Sequence, residues 1–161
     1  MALTSTQLAT LKADILADPV LNAQPNTPDG ADAIAQVYNA KAIPTFTVWK
    51  TLVSISEAGR KFNGVELGGL TTANHTRLQT IAAFLVEGVN PSLPDNRAFF
   101  DDVFSGAGGA LTRAALLALW KRPALRLEKL FATGVGSDAS PATMIVEGTT
   151  DYEEVLQARN S

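Results

Sequence analysis

The stretch ALTRAALLALWKR, residues 110–122, is the longest helix candidate in the chain. The glycine-rich run at 106–109 introduces it, and Pro123 ends it, because proline lacks the amide hydrogen that a helix interior needs and restricts the residue before it. The apolar pattern resumes from Leu125 to Ala132. We therefore predict two consecutive helices that are separated at the proline.

Capping signals mark four more helix starts upstream. A Ser or Thr followed three residues later by Glu or Gln satisfies two free backbone amides and is typical of a helix N-terminus. Apolar residues at helical spacing support these starts. The signals are Thr4 with Gln7, before Leu8, Leu11 and Ile15; Asp29, before Ile34, Val37 and Tyr38; Ser54 with Glu57; and Thr71 or Thr72, before Leu78, Ile81, Ala82 and Leu85.

The connections between these helices are marked by proline and glycine. Two prolines at 22–30 and four glycines at 59–70 favour loops. The loop at 90–94 leads into a helix that contains three phenylalanines within six residues. Residues 46–49 alternate like a short strand, but the capping box at Ser54 favours a helix, and the pattern does not decide between strand and helix here.

The last part of the chain has a different character. Residues 133–141 are small and glycine-rich, 143–146 read as a short strand, and Thr150 with Glu153 predicts a last helix through Arg159. We predict a mainly α fold, a single helical domain over residues 1–161 with about five to seven helices. Within it, residues 133–149 form a loop or extended excursion near the C-terminus.

The composition is that of a folded protein without disulfides. Of the 161 residues, 46% are hydrophobic and 18% are charged, which is too apolar for a disordered chain. The net charge of −3 argues against a nucleic-acid binder as a whole, although a local patch could still bind nucleic acid. The absence of cysteine excludes disulfides, thiolate metal sites and cysteine nucleophiles.

Targeting and membrane signals are also absent from the sequence. Residues 1–5 lack the basic and apolar regions of a secretory signal. The longest apolar stretches, such as Ala114 to Trp120, fall short of the roughly 20 residues that span a bilayer. We expect a protein that is made in the cytoplasm and has no membrane role.

Side chains that carry chemistry are sparse. The single histidine, His75, lies among polar neighbours at a helix start, where an ordinary exposed histidine is expected. Asp101 and Asp102 are adjacent and point about 100° apart on a helix, so they do not form a facing pair. The carboxylates at 151–154 are explained by the helix dipole. We predict no catalytic residue, no cofactor and no metal site.

The glycine run at 106–109 also invites comparison with a phosphate-binding loop, because it precedes a helix and helix N-termini bind anions. However, no lysine followed by serine or threonine stands at the expected offset, and no strong strand precedes the run. Nucleotide binding is therefore not predicted.

Charge is distributed unevenly along the chain. Residues 109–133 are basic, and residues 1–40 have one Lys12 against four aspartates, Asp14, Asp18, Asp29 and Asp32. One interpretation is two solvated helix faces. The other is that the basic region meets an acidic neighbour or DNA, with acidic and basic surfaces pairing between copies in a closed ring. The basic residues are Arg113, Lys121, Arg122, Arg126 and Lys129, against a single Glu128.

Several segments, in this order and spacing, resemble a family of small virion proteins of tailed bacteriophages and prophages. The segments run across nearly the whole chain, although residues 59–70 depart from the pattern, because relatives more often carry a tryptophan-containing stretch there. The matching residues are 48–51 with Glu57, 88–91 with Arg97, 128–134, 140–144 with Glu147 and Gly148, and 155–159.

The resemblance implies a structural component of the virion and no catalytic residues. It indicates an adaptor in the tail or neck that joins tail fibres to the tail or the tail to the portal. Its partners would be other virion proteins, and it is expected to form a homo-oligomeric ring, with direct DNA contact left open. A capsid decoration protein is the alternative function, and a phage enzyme ranks last.

An adaptor needs loops and anchors for its partners. The loops at 22–30, 59–70 and 133–141 are candidates for segments that become ordered on assembly. Trp49, Phe62 and Trp120 are the candidate aromatic anchors, and the alternative for each is a place in the core. The basic residues at 113–129 complete the predicted interface.

Overall fold

Helices account for most of the chain. The computed structural model describes Ala2 to Ser161, apart from the side chain of Phe84. This range contains ten α-helices, which confirms the mainly α prediction, and six of them have nine or more residues. The helices are α1 (Ser5–Ala17), α2 (Pro19–Asn22), α3 (Pro28–Asn39), α4 (Ile55–Gly59), α5 (Gly64–Gly68), α6 (Thr72–Phe84), α7 (Pro94–Val103), α8 (Ala110–Trp120), α9 (Arg126–Phe131) and α10 (Tyr152–Asn160).

The chain forms two compact units, each with its own apolar core. Unit 1 comprises the residues up to Val48 together with Pro123–Ser161, and unit 2 is the continuous segment Trp49–Arg122. This division is finer than the single domain predicted over 1–161. Two short strands, β1 (Thr47–Trp49) and β2 (Lys121–Pro123), pair with each other.

Unit 1 is built on the packing of α10 against α1 and α3. The predicted stripe of α1, Leu8, Leu11 and Ile15, is buried in this core. The capping box at its start is also confirmed: Gln7 N donates to Thr4 Oγ1 (3.3 Å) and Thr4 N donates to Gln7 Oε1 (2.8 Å). Local sequence signals therefore place α1 correctly.

Two helices of unit 1 begin differently from the prediction. Thr27, and not Asp29, caps α3, because Pro28 fits the first helical position and Thr27 Oγ1 accepts from Gly30 N (3.4 Å). Asp151, and not Thr150, caps α10 by accepting from Glu154 N (2.9 Å). Thr150 instead donates its hydroxyl to the Glu154 carboxylate (2.8 Å).

No helix forms between α9 and α10. The predicted strand at 143–146 is wrong, because only isolated bridges form there, such as Thr133 with Thr143. Buried Glu128 holds this segment, since its carboxylate accepts from Leu125 N (2.8 Å) and Gly148 N (3.1 Å).

Unit 2 contains α4 to α8. The segment that the sequence left open between strand and helix contains both. The strand β1 comes first, and the capping box of Ser54 and Glu57 then starts α4. The glycine-rich segment at 59–70 includes a short helix, α5, because Asn63 Oδ1 accepts from Val65 N (3.0 Å) and Glu66 N (3.1 Å).

Aromatic side chains fill the core of unit 2. The Trp120 ring lies 5.5 Å from Phe100 in an edge-on contact, and Phe62 lies 5.1 Å from Phe104. Phe100, Phe104 and Trp120 are buried. No single helix within residues 2–161 has both the length and the hydropathy to cross a bilayer. The segments Pro94–Val103 and Ala107–Trp120 are long and apolar enough only when they are taken together, and the chain bends by 114° between them.

Candidate protein-binding surfaces

Unit 1 has an open cleft of about 580 Å³ at the end of α3, beside α9. Its floor is apolar, and Ile43 is 92% exposed there. We call it the α3–α9 cleft. Its lining residues are Asp14, Val37, Ala40, Lys41, Ala42, Ile43, Arg126, Lys129 and Leu130.

One wall of this cleft is a charged cluster around Arg126. Arg126 Nη2 lies 3.2 Å from Asp14 Oδ2 and 3.0 Å from Asp18 Oδ2, and the guanidinium carbon stands 4.9 Å from the Tyr38 ring centroid. The Tyr38 hydroxyl donates to Asp14 Oδ2 (2.6 Å). Asp14 lies in the last turn of α1, and Asp18 is the extended residue that follows α1 and caps α2, so both carboxylates reach the same guanidinium. We call these four residues the arginine cluster.

The cluster changes the acid–base behaviour of its members. The hydrogen bond from Arg126 and the amide of Leu21 hold the pKa of Asp18 below its usual value. Burial, together with the hydrogen bond to Asp14, raises the pKa of the Tyr38 hydroxyl well above its usual value. Arg126, predicted as an interface residue, is thus paired with acidic residues of its own chain.

Two lysines of the α3–α9 cleft have a different environment. Lys41 is exposed, and Lys129 is half-buried with its Nζ 5.9 Å from the Phe46 ring centroid. Neither ammonium group forms an ion pair with a carboxylate among residues 2–161. Lys129 is one of the interface residues predicted from the sequence. Lys41 is not, because it lies outside the basic stretch.

Unit 2 exposes an apolar face on α8. The helix is exposed at Ala110, Leu111, Ala114, Leu117 and Ala118, and Leu111 and Leu117 keep 63% and 44% of their surface in solvent. These positions follow helical spacing and define what we call the α8 face. No charged residue occurs among these five.

The α8 face borders a second cleft, of about 410 Å³, in unit 2. Three predicted interface residues, Trp49, Arg113 and Trp120, lie in its lining together with Arg97 and Asp101. The Arg97 guanidinium stacks over the Trp49 ring at 4.1 Å, which covers the indole of the half-buried tryptophan.

Three of the predicted interface residues, Trp120, Phe62 and Arg113, are engaged in contacts within unit 2. Trp120 is only 2% exposed, so it belongs to the core and has almost no surface to offer a partner. Phe62 is half-buried against Phe100 and Phe104. Arg113 donates to the carbonyl oxygens of Phe104 and Gly106.

The predicted basic stretch is divided between the two units. Lys121 and Arg122 are half-buried in β2, at the end of unit 2. Arg126 and Lys129 belong to unit 1 and share the α3–α9 cleft. The boundary between the units therefore falls within the stretch.

The N-terminus of α8, which follows the glycine run, is occupied by a carboxylate of the same chain. Glu66 Oε1 accepts from Leu111 N (2.9 Å) and Glu66 Oε2 accepts from Thr112 N (2.7 Å). Burial opposes the ionisation of Glu66, but the hydrogen bonds from Thr112 and Leu111 outweigh it and hold its pKa below the usual value. Glu66 therefore takes the place that a phosphate would need.

The side chains considered for catalysis, His75 and the aspartates at 101 and 102, belong to no metal-binding group within residues 2–161. His75 is half-buried near the start of α6, and Asp102 forms an exposed ion pair with Arg77 (2.7 Å). Within residues 2–161, no group of three or more His, Cys, Asp or Glu side chains is arranged to hold a metal ion.

Comparison of the chain with protein-family models, with curated proteins and with solved structures gives no match. The resemblance to small phage virion proteins therefore stays a prediction from the sequence segments. Function has to be inferred from the surfaces of the molecule, of which the α3–α9 cleft and the α8 face are the clearest.

Proposed function

We propose that this protein is a structural component of a tailed-phage particle. It acts as an adaptor in the tail or neck, forms a ring, and joins tail fibres to the tail or the tail to the portal. Its partners are other virion proteins, which it binds through protein–protein contacts.

The observation that carries the proposal is the α8 face. Monomeric soluble proteins expose scattered apolar side chains, but an apolar stripe along one helix is typical of a surface that another protein covers. Leu111 and Leu117 lie on opposite edges of this stripe, with Ala114 and Ala118 between them, and these small side chains let a partner helix approach closely. Arg113 does not interrupt the stripe, because its guanidinium is held by backbone carbonyl groups.

An adaptor also needs a surface for each of its neighbours. The α3–α9 cleft of unit 1 and the α8 face of unit 2 differ in chemistry, since one combines ammonium groups with an apolar floor and the other is wholly apolar. Two chemically distinct surfaces support a protein that contacts two kinds of neighbour. The sequence resemblance adds the location, a virion.

Capsid decoration is the second candidate. A decoration protein would use the same apolar face against the head lattice, so the face alone does not separate the two functions. The number of copies in the particle separates them, because an adaptor ring has about as many copies as the portal, whereas a decoration protein approaches the count of the capsid protein.

Quantitative mass spectrometry of purified particles of the phage or prophage that encodes the chain tests the location. A copy number close to that of the portal protein is expected. A count close to that of the major capsid protein would replace the adaptor by decoration, and absence from the particle would refute both.

A matched pair of variants tests the α8 face. Leu117→Ser removes an apolar side chain from the face, and Val65→Ser removes one that is 86% exposed elsewhere in unit 2. We expect particles to incorporate the Val65 variant normally and the Leu117 variant poorly. Equal incorporation of the two would show that the α8 face is not a binding surface.

A further inference from the structure

We propose that the α3–α9 cleft binds the start of α10 of a second copy of this chain. Tyr152 of that copy enters the cleft, the carboxylate of its Glu153 pairs with Lys41, and the carboxylate of its Asp151 pairs with Lys129. The inference rests on the proposed function, because it names the contact through which the proposed ring assembles.

The first step is the charge of the cleft. Arg126 is neutralised by Asp14 and Asp18, at 3.2 and 3.0 Å. Within residues 2–161, Lys41 and Lys129 have no carboxylate partner of their own. With Arg126, Lys41 and Lys129 against Asp14 and Asp18, the cleft and its wall carry a net charge of +1, and the two ammonium groups are the cations left to pair with an acidic occupant.

The second step is the apolar part of the lining, the floor of the cleft. Ile43 is 92% exposed and Val37 is 38% exposed, and both lie in the cleft with partly buried Leu130. Covering this floor removes apolar surface from water, which a partner side chain that is itself apolar would favour. A DNA backbone presents mainly charged, hydrated phosphates, so it would gain less from covering this floor than an aromatic side chain would.

The third step is the complementary segment on the same chain. Tyr152 is 41% exposed at the first position of α10, with exposed Asp151 before it and exposed Glu153 after it. Tyrosine has a large apolar ring and a polar end, so it is a common anchor at interfaces. The segment of Asp151, Tyr152 and Glu153 therefore offers two carboxylates for the two ammonium groups of the cleft and an aromatic ring for its apolar floor.

The acidic residues of α3 fit less well. Asp29 and Asp32 are exposed too, but no exposed aromatic side chain accompanies them. The distribution of charge along the sequence favours residues 1–40 as the acidic partner, yet Asp14 and Asp18 of that region are engaged inside the chain. The start of α10 is therefore the better candidate.

A contact between two different patches of identical chains has a structural consequence. When α10 of one copy occupies the cleft of the next, one copy of the pair keeps a free cleft and the other keeps a free α10, so the contact can repeat; it gives a ring where the rotation between copies closes and an open filament where it does not. This arrangement suits the proposed adaptor.

The test is a charge exchange, measured by sedimentation velocity of the full chain over a range of protein concentrations. Lys41→Glu and Glu153→Lys each place like charges opposite one another, and we expect each to weaken self-association about tenfold or more. The double variant restores opposite charges and should recover association. Lys61→Glu, an exposed lysine of unit 2, is the matched control and should associate like the unaltered chain.

Several results would overturn the inference. These are a monomeric unaltered chain at every concentration, single variants that associate as tightly as the control, or a double variant that stays dissociated. Binding of a duplex DNA oligonucleotide that Lys41→Glu abolishes, with self-association unchanged, would reassign the cleft to nucleic acid. Circular dichroism of each variant checks that the helices remain intact.

These results are distinguishable from failure of the proposed function. Charge exchange that behaves as expected in a protein absent from virions would retain the self-contact and remove the adaptor. A portal-like copy number with no effect of the charge exchange would retain the adaptor and remove this contact.

Discussion

Replacing Tyr38 by phenylalanine removes one oxygen from the centre of the arginine cluster. The hydroxyl donates to Asp14 Oδ2 at 2.6 Å, and the side chain is 0% exposed. Hydrogen bonds to charged groups contribute about 1.5–3 kcal/mol. Because the Asp14 side chain keeps 34% of its surface in water, we expect a value at or somewhat below the lower end of this range, about 1–2 kcal/mol. In a chain of this length that loss lowers the melting temperature by about 2–8 °C.

The two tryptophans make the measurement selective. Trp49 and Trp120 both belong to unit 2, so tryptophan fluorescence follows unit 2, whereas far-UV circular dichroism follows the helices of both units. Urea unfolding of Tyr38→Phe is therefore recorded with both signals. We expect the loss of stability to appear in the urea unfolding transition that is followed by circular dichroism.

The control is Tyr152→Phe, which removes a hydroxyl that donates to Glu153 (3.1 Å) at an exposed position. We expect this variant to stay within about 0.5 kcal/mol of the unaltered protein. A Tyr38→Phe variant that is equally close to the unaltered protein would refute the assigned role of the hydroxyl. So would a double-mutant cycle with Asp14→Asn that gives no coupling energy.

Three further predictions concern unit 2. The pKa of Glu66 is lowered on folding, so its contribution to stability is present above the unfolded-state pKa of about 4.3 and is lost as pH falls through the folded-state pKa. The urea midpoint of Glu66→Gln should therefore vary less between neutral and acidic pH than that of the unaltered protein. Phe100→Ala should lower the free energy of unfolding, measured in urea, by about 3–5 kcal/mol. It should also shift the fluorescence of Trp120, because the two ring centroids are 5.5 Å apart. A loss of stability below about 1 kcal/mol would contradict the place of Phe100 in the core. Leu117→Ser should change stability by no more than about 1 kcal/mol, since its side chain is 44% exposed, and a larger loss in thermal unfolding would show that the residue supports the fold instead of a partner.

Local signals in the sequence predicted helix starts well. The capping boxes at Thr4 and at Ser54, and the cap at Thr71, all occur as expected, because each depends on residues three positions apart. The starts of α3 and α10 were misplaced by one or two residues, because several polar residues compete there for the same backbone amides. Pro28 decides the first case, and the Asp151 carboxylate decides the second.

Long-range contacts were beyond such local signals. Glu66 caps a helix that starts more than forty residues later in the chain, and no pattern around either segment indicates the pairing. The same holds for Arg126 with Asp14, although the spacing of Asp14 and Asp18 by four residues was a usable hint of a shared cation. The strand predicted at 143–146 failed because a strand needs a partner that its own sequence does not specify.

The interrupted course of unit 1 has a consequence for synthesis of the protein. Unit 2 is one continuous segment, so a ribosome releases all of it before the second half of unit 1 exists. The core of unit 1 needs α10, which packs against α1 and α3 near the beginning of the chain. A chain whose translation stops early therefore lacks this core, and its α1 and α3 expose the apolar side chains that chaperones and proteases bind. Only chains translated through α10 complete unit 1.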